Sequence, residues 1–281
     1  MRLLICGSRG STPAPGPDFL RYGGSTSCLA VSHGTEAPRL LLDAGTGVQR
    51  LTPVFGDAPF QGTILLTHLH WDHTHGLPFF PSADRPDARV RLLMPAQGDA
   101  EAVLSRALSP PHFAIGPSGL RGEWSFDGLE PGEHRLEDFS ILALEIPHKG
   151  GRTFGYRVSD GSGTLAYLPD HHPFAYGRGP DGFGEYHANA LQLAAGVDLL
   201  LHDAQYSAAE FAARESFGHS AVPYAIGLAE RTGARRLLLF HHAPQRSDEE
   251  IDALVSEART ANVEMAAAEE GALIELPIPV A

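Results

Sequence analysis

Cysteine is scarce, with only Cys6 and Cys28 in 281 residues, each inside an apolar stretch. Two buried, reduced thiols suit that placement better than a disulfide or redox pair, and they imply a reducing compartment. Long hydrophobic runs are lacking too: no segment approaches the roughly 20 apolar residues of a spanning helix. The opening MRLLIC carries one basic residue and an apolar run too short for a secretory signal, so no membrane partner is expected and the expected location is cytoplasmic. Positive charge is in short supply, with 21 Lys and Arg against 34 Asp and Glu and a formal net charge of −13. That balance works against a long nucleic acid or an anionic lipid surface as partner. No repeat at a period of about 20 to 50 residues and no low-complexity linker is found, so residues 1–281 are expected to form a single domain.

What is present is an alternation of short apolar runs and amphipathic stretches. Runs bounded by glycine, proline or aspartate predict strands at 2–6, 27–32, 39–45, 63–67, 90–94, 140–146, 153–159, 164–168, 197–202 and 235–240. Helical patterning falls at 97–108, 186–195, 207–216, 220–232 and 248–260, the last with Ser247 as N-cap and acidic residues in its first turn. The fold class is therefore α/β, and two sheets covered by helices on their outer faces make a four-layer αββα sandwich. Segments 109–123 and 173–184 are Gly/Pro-rich loops bearing Phe113, Phe174, Tyr176 and Phe183, and they fit a lid or a plain surface excursion equally.

Chemistry concentrates where the predicted strand at 63–67 runs into His68-Leu69-His70-Trp71-Asp72-His73. Side chains two apart on an extended segment share a side, which pairs His68 with His70. Asp72 and His73 sit where the chain turns and can point back into the same cavity. Imidazole with carboxylate suits zinc, manganese or iron(II). His148, Asp170, His202, Asp203, His241 and His242 stand at the ends of other predicted strands, and strand ends at one edge of a layered fold form one rim. Asp43 fits a supporting position behind the ligands. His75, His171, His172 and His187 are taken as structural, as are His202 and His242, although His242 competes with His241 as the ligand. Trp71 and the Phe79-Phe80 pair are read as core in preference to a platform for a base.

The pattern HLHWDH, a lone His, an Asp after a strand and a His after a late strand resembles the metallo-β-lactamase superfamily. The segments LLDAGTG (41–47), YLPD (167–170), LLLHDAQY (199–206), GHS (218–220) and FHHAPQRSDEEI (240–251) extend the resemblance over nearly the whole chain. It is most similar to the phosphodiesterase-type branch that contains ribonuclease Z and bacterial cyclic-phosphate phosphodiesterases. That resemblance implies two divalent ions, Zn2+ first with Mn2+ or Fe2+ as alternatives. His68, His70 and His148 would hold one, Asp72, His73 and His241 the other, and Asp170 would bridge both. It also implies that Asp203 and His219 work as a pair near the scissile phosphate, with His219 as general acid, while Ser220 is either a helix N-cap or a phosphate contact.

The implied reaction is attack by a water activated between the ions, with Asp72 among the catalytic groups. Ribonuclease Z carries a long arm between the third histidine motif and the bridging aspartate, whereas here only 21 residues separate His148 from Asp170, filled by a predicted hairpin turning at SDGSG (159–163). A small cyclic phosphodiester, a cyclic nucleotide or cyclic ribose phosphate, is thus the expected partner. The alternatives are lactone or thioester hydrolysis on the same fold and a non-catalytic metal-binding sensor or scaffold. Relatives are often homodimers, which leaves a homodimer open for this chain.

Overall fold

The computed structural model describes residues 1–258 and 263–277. Two seven-stranded sheets face each other. The first contains β1 (Arg2–Gly7), β2 (Cys28–Ser32), β3 (Leu40–Leu42), β4 (Gln61–Leu65), β5 (Arg89–Pro95), β6 (Glu123–Leu129) and the late strand β14 (Leu273–Glu275), in the order β14-β1-β2-β3-β4-β5-β6. The second contains β7 (Gly132–Leu136), β8 (Phe139–Glu145), β9 (Phe154–Ser159), β10 (Thr164–Leu168), β11 (Leu199–Asp203), β12 (Arg236–Phe240) and β13 (Glu264–Ala267), in the order β13-β12-β11-β10-β9-β8-β7. From β3 to β6 and from β10 to β13 the neighbours run parallel, so the C-terminal ends of β10, β11 and β12 share one edge.

The leucine-rich runs are explained by burial on both faces. In β3, Leu40 and Leu42 enter the core between the sheets while Leu41 points into the outer layer. In β11, Leu199 and Leu201 point inward and Leu200 outward. A parallel strand covered on both sides needs apolar residues at every position, whereas β5, nearer an edge, keeps Arg89 and Arg91 exposed. Helices α1 (Thr52–Phe55), α2 (Trp71–Thr74) and α3 (Ala100–Ser105) lie with the first half of the chain. Among those of the second half, α4 (Ala188–Ala194), α6 (Val222–Thr232) and α7 (Asp248–Glu257) cover the outer face of the second sheet. Between α4 and α6, α5 (Ala208–Arg214) presses Phe211 against Tyr206 and Ala221. This is the four-layer α/β sandwich that the patterning predicts.

Ser247 caps α7 in a full capping box with Glu250, as its sequence predicts. The expected helix at 97–108 is only α3, entered through the Asp99 side chain, and residues 259–260 of the expected 248–260 helix lie outside the described residues. Four strands went unpredicted: β6, β7, β13 and β14. In β6, exposed Glu123 and Asp127 alternate with Trp124 and Phe126, which pack on the outer core, so its apolar content is too sparse to read as a run.

The SDGSG turn does close a hairpin, with Ser159 opposite Thr164. In the 173–184 loop, Phe174 and Phe183 pack on Phe211, which anchors the segment, while Tyr176 stays exposed. Cys6 and Cys28 are buried free thiols. Among the described residues no helix is long and apolar enough to cross a membrane.

Candidate metal centre

β4 ends at Leu65, and the chain continues extended through Thr67 and His68 before α2 begins at Trp71. His70 precedes the helix with extended torsions, and Asp72 and His73 occupy its single turn. The rings of His68 and His70 lie 4.4 Å apart, on one side of the segment as alternation predicts. The ends of β8, β10 and β12 add His148, Asp170 and His241.

These residues gather into two groups that share Asp170. Ligand atoms of His68, His70, His148 and Asp170 lie within 4.8 Å of one another, and so do those of Asp72, His73, Asp170 and His241. The two oxygens of Asp170 divide between them. Oδ2 stands 3.7 Å from His68 Nε2 and 3.5 Å from His148 Nε2, while Oδ1 stands 2.9 Å from His73 Nε2 and 3.2 Å from His241 Nε2. Asp72 Oδ2 joins the second group, 3.1 Å from His241 Nε2 and 3.4 Å from His73 Nε2.

Outer hydrogen bonds decide which nitrogen each ring offers. His73 Nδ1 meets Asp43 Oδ2 at 2.8 Å and His148 Nδ1 meets the Gly218 carbonyl at 2.7 Å; both partners can only accept, so each Nδ1 donates and each Nε2 lone pair faces the cleft. Asp43 is itself fixed by the Thr67 amide and hydroxyl and the Tyr167 hydroxyl, so it lies behind His73 as seen from the cleft. His241 adopts φ +60, with the Gln205 amide nitrogen 3.4 Å from its Nδ1 and Gly10 against its ring, where a Cβ would come within 2.3 Å. The Ser11 amide donates to Asp72 Oδ2 at 2.7 Å. Thr67, Gln205, Tyr167 and the backbone of Ser11 and Gly218 were not anticipated; only the Thr before HLH and the Gln in HDAQY carried any local signal.

A cation fits this donor set. Buried His68 Nε2, His73 Nε2 and Asp170 Oδ1 have no hydrogen-bond partner, and all three point where the groups converge. Four buried carboxylates, Asp43, Asp72, Asp170 and Asp203, are accompanied among the described residues by imidazoles and by no Lys or Arg ion pair. Burial alone would raise Asp72 and Asp170, but the surrounding imidazoles, His73 foremost for Asp72 and His241 for Asp170, outweigh it and hold both well below the usual carboxylate range. Burial would likewise lower His73 and His241; Asp170 and Asp72 outweigh it, with Asp43 adding to the effect on His73, so that His73 sits well above the usual imidazole range and His241 is raised to about 9. Burial dominates at His68, held well below that range, and at His148, lowered to about 4. The centre demands positive charge, which protons on His73 and His241 or a divalent cation can supply.

Beside it, His219 Nδ1 donates to Asp203 Oδ2 at 3.0 Å, and the residue lines a cleft of about 310 Å3 together with His70, Trp71, Asp72 and Asp170. Asp203 is fully buried and accepts from the amides of His171, Gln205 and Ser220. Ser220 corrects both sequence readings. It is completely buried, its hydroxyl donates to the His171 carbonyl at 2.8 Å, and α6 begins after Ala221, so it neither reaches a phosphate nor caps a helix.

His242 turns away to the Ala268 carbonyl, leaving the cleft to His241. His171, His187 and His202 form a separate chain with Nδ1···Nε2 2.9 Å between His171 and His202 and Nε2···Nε2 2.7 Å between His171 and His187. Trp71 and Phe79 are 65% and 53% exposed, so the core reading holds for Phe80 alone.

Comparison with known proteins agrees with this fold. Ribonuclease Z from Lacticaseibacillus casei (strain BL23) is 28% identical over 239 residues, covering 72% of this chain and 74% of that protein. Two solved structures share the fold: the short form of human tRNase Z (TM-score 0.69, 20% identity, 99% of this chain and 100% of that one) and a diphosphatase from the PhnP family (TM-score 0.68, 20% identity, 99% and 98%). Residues 38–242 match the family described as "Beta-lactamase superfamily domain", a span running from just before β3 to the His241-His242 pair, and the chain belongs to that family.

Proposed function

We propose that this metal-dependent hydrolase of the beta-lactamase superfamily is a phosphodiesterase acting on small cyclic phosphodiesters. The observation that carries the reading is the Asp203–His219 pair, with His219 lining the cleft and its Nδ1 3.8 Å from the Asp170 carboxylate that both donor groups share. His68, His70 and His148 would hold one ion, Asp72, His73 and His241 the other, and Asp170 would give one oxygen to each. Two divalent ions, zinc first with manganese or iron(II) as alternatives, would supply Lewis-acid charge for the phosphoryl oxygens and lower the pKa of water.

The chain's own residues supply the rest. Asp203 can only accept, so the proton on His219 Nδ1 is fixed there and Nε2 is turned to the cleft. His219 gives a proton from Nε2 to the departing alkoxide while its Nδ1–H continues to donate to the Asp203 carboxylate, which keeps the ring oriented. Three backbone amides hold the Asp203 carboxylate in place for this. The small cleft, the acidic surface and the plain β9–β10 hairpin between His148 and Asp170 favour a small phosphodiester over a long nucleic acid. The relatives named ribonuclease Z and diphosphatase support phosphorus chemistry at this site.

The test is turnover of bis-p-nitrophenyl phosphate and of a 2′,3′-cyclic nucleotide by metal-reconstituted protein, with a lactone as control. Asp170→Ala should abolish turnover of both. His219→Ala should slow the cyclic nucleotide roughly 10²–10⁴-fold and affect the p-nitrophenyl ester much less, because p-nitrophenolate leaves without a proton. Brisk lactone opening with neither phosphodiester consumed would overturn the reading in favour of carboxyl-ester chemistry.

A further inference from the structure

An isolated exposed aromatic needs no explanation, but Trp71 is not isolated. It directly precedes Asp72, lines the cleft with Asp170 and His219, and remains 65% exposed. One face of its indole stacks on His75, centroids 5.4 Å apart and planes 16° from parallel, so the ring is braced rather than loose. His75 in turn borders a cavity of about 480 Å3 whose apolar wall includes Leu77, Phe79, Leu108 and Phe113. Phe79, also exposed, meets Phe113 edge to face at 5.7 Å. The next residue, Phe80, is buried among Phe55 and Phe60, so the fold has the means to bury aromatics here and leaves Trp71 and Phe79 out. The carboxylates and imidazoles of the cleft therefore stand beside an exposed, braced indole.

We infer that Trp71, braced by His75, is a stacking platform that selects substrates carrying a planar heteroaromatic ring, so that the cyclic phosphodiester is a nucleotide and not a base-free sugar phosphate. This rests on the phosphodiesterase reading. With the phosphate beside Asp170 and His219, the ring it carries meets the face of the indole that His75 leaves uncovered, in the same cleft. Stacking depends on a π-face and not on a hydrogen-bond pattern, so the platform distinguishes base from no base while tolerating several bases.

Two measurements on metal-reconstituted protein test it. The chain has two tryptophans, and Trp124 lies on β6 with its indole nitrogen bonded to the Arg121 carbonyl, so Trp124→Phe leaves Trp71 as the sole indole reporter. Adenosine monophosphate should then quench the fluorescence saturably and ribose 5-phosphate should not. Separately, the ratio of kcat/KM for 2′,3′-cyclic AMP to that for a methyl riboside 2′,3′-cyclic phosphate should fall roughly 5- to 100-fold in Trp71→Ala, chiefly through KM, with partial recovery in Trp71→Phe. Absence of quenching, or an equal loss on both esters in Trp71→Ala, would overturn the platform. If the wild type hydrolyses neither ester, the phosphodiesterase reading fails, and quenching alone judges the platform: selective quenching by the nucleotide supports it and none sinks it.

Discussion

Histidine clusters twice in this fold, on opposite sides of Asp203. At the cleft, His68, His73 and His148 present Nε2 towards Asp170, and His68 Nε2 and His73 Nε2 are buried without hydrogen-bond partners. Behind Asp203, by contrast, the chain of His187, His171 and His202 is closed at both ends. The Ala190 amide can only donate to His187 Nδ1, and the Asp203 carbonyl can only accept from His202 Nδ1 at 2.7 Å. With the ends fixed, neutral rings have one consistent arrangement, in which His187 donates to His171, His171 to His202 and His202 to the carbonyl. Burial keeps them uncharged, lowering His187 and His202 to about 4 and His171 well below the usual range. Both places bring imidazoles into contact with one another. What separates a cation site from a scaffold is the presence of carboxylates and of lone pairs without a hydrogen to accept.

That contrast is sharpest at Asp43. Asp43→Asn keeps the shape but places an amide where a carboxylate accepted from His73 Nδ1, which favours the tautomer whose Nε2 carries a proton and offers no lone pair. Metal affinity should fall about 10- to 100-fold. Competition with a zinc chelator and measurement of bound metal check this, and affinity unchanged within a factor of two would mean that His73 is not held as argued. The matching change in the closed chain is His202→Ala. It leaves the His171 Nδ1 hydrogen and the Asp203 carbonyl without partners in a buried site, which costs about 1–3 kcal/mol. A drop in Tm of roughly 2–10 °C with metal content intact is expected. Loss of metal with little loss of stability would reverse the roles of the two clusters.

Much of this division was legible in the sequence, and the part that was not has identifiable causes. HLHWDH betrays itself because ligation restricts both residue type and spacing, and Asp170 and Asp203 follow leucine-rich strands whose ends must share an edge. At the end of β11, alternation separates the neighbours: Leu199 and Leu201 face the inner core, Leu200 faces outward, and His202 follows it outward to the Tyr224 ring. Asp203 is thereby left to the cleft side. The chain from His187 to His202 was not legible as a unit, since its members come from the loop after β10, the start of α4 and β11, and only packing joins them. Ser220 misled because a serine before a helical pattern resembles a cap, whereas α6 starts two residues later. Trp71 and Phe79 misled for the opposite reason, as nothing local distinguishes an aromatic left at a cleft from its buried neighbour Phe80.

The smallest expected effect separates His241 at the cleft from the closed chain by the sign of their pH dependence in chelator-treated protein. His241, raised to about 9 by Asp170 and Asp72 against its burial, stabilises the fold fully below the unfolded imidazole value near 6.5, and that contribution is lost as pH rises through 9. His187 and His202, lowered to about 4, contribute above roughly 6.5, and their contribution is lost as pH falls through 4, because the unfolded chain takes up protons that the folded rings refuse. The Tm of metal-free protein should therefore decline on both sides of neutrality for different reasons. Zinc should flatten the alkaline decline, since a cation replaces the proton on His241. The acid decline of the metal-free protein is shared with His68 and His148, which burial also lowers, so the closed chain's part is read from His202→Ala in metal-free protein. His202→Ala should reduce that acid slope and leave the alkaline one alone. An alkaline slope that zinc does not alter, or an acid slope that His202→Ala does not reduce, would show that the two clusters are not electrostatically distinct.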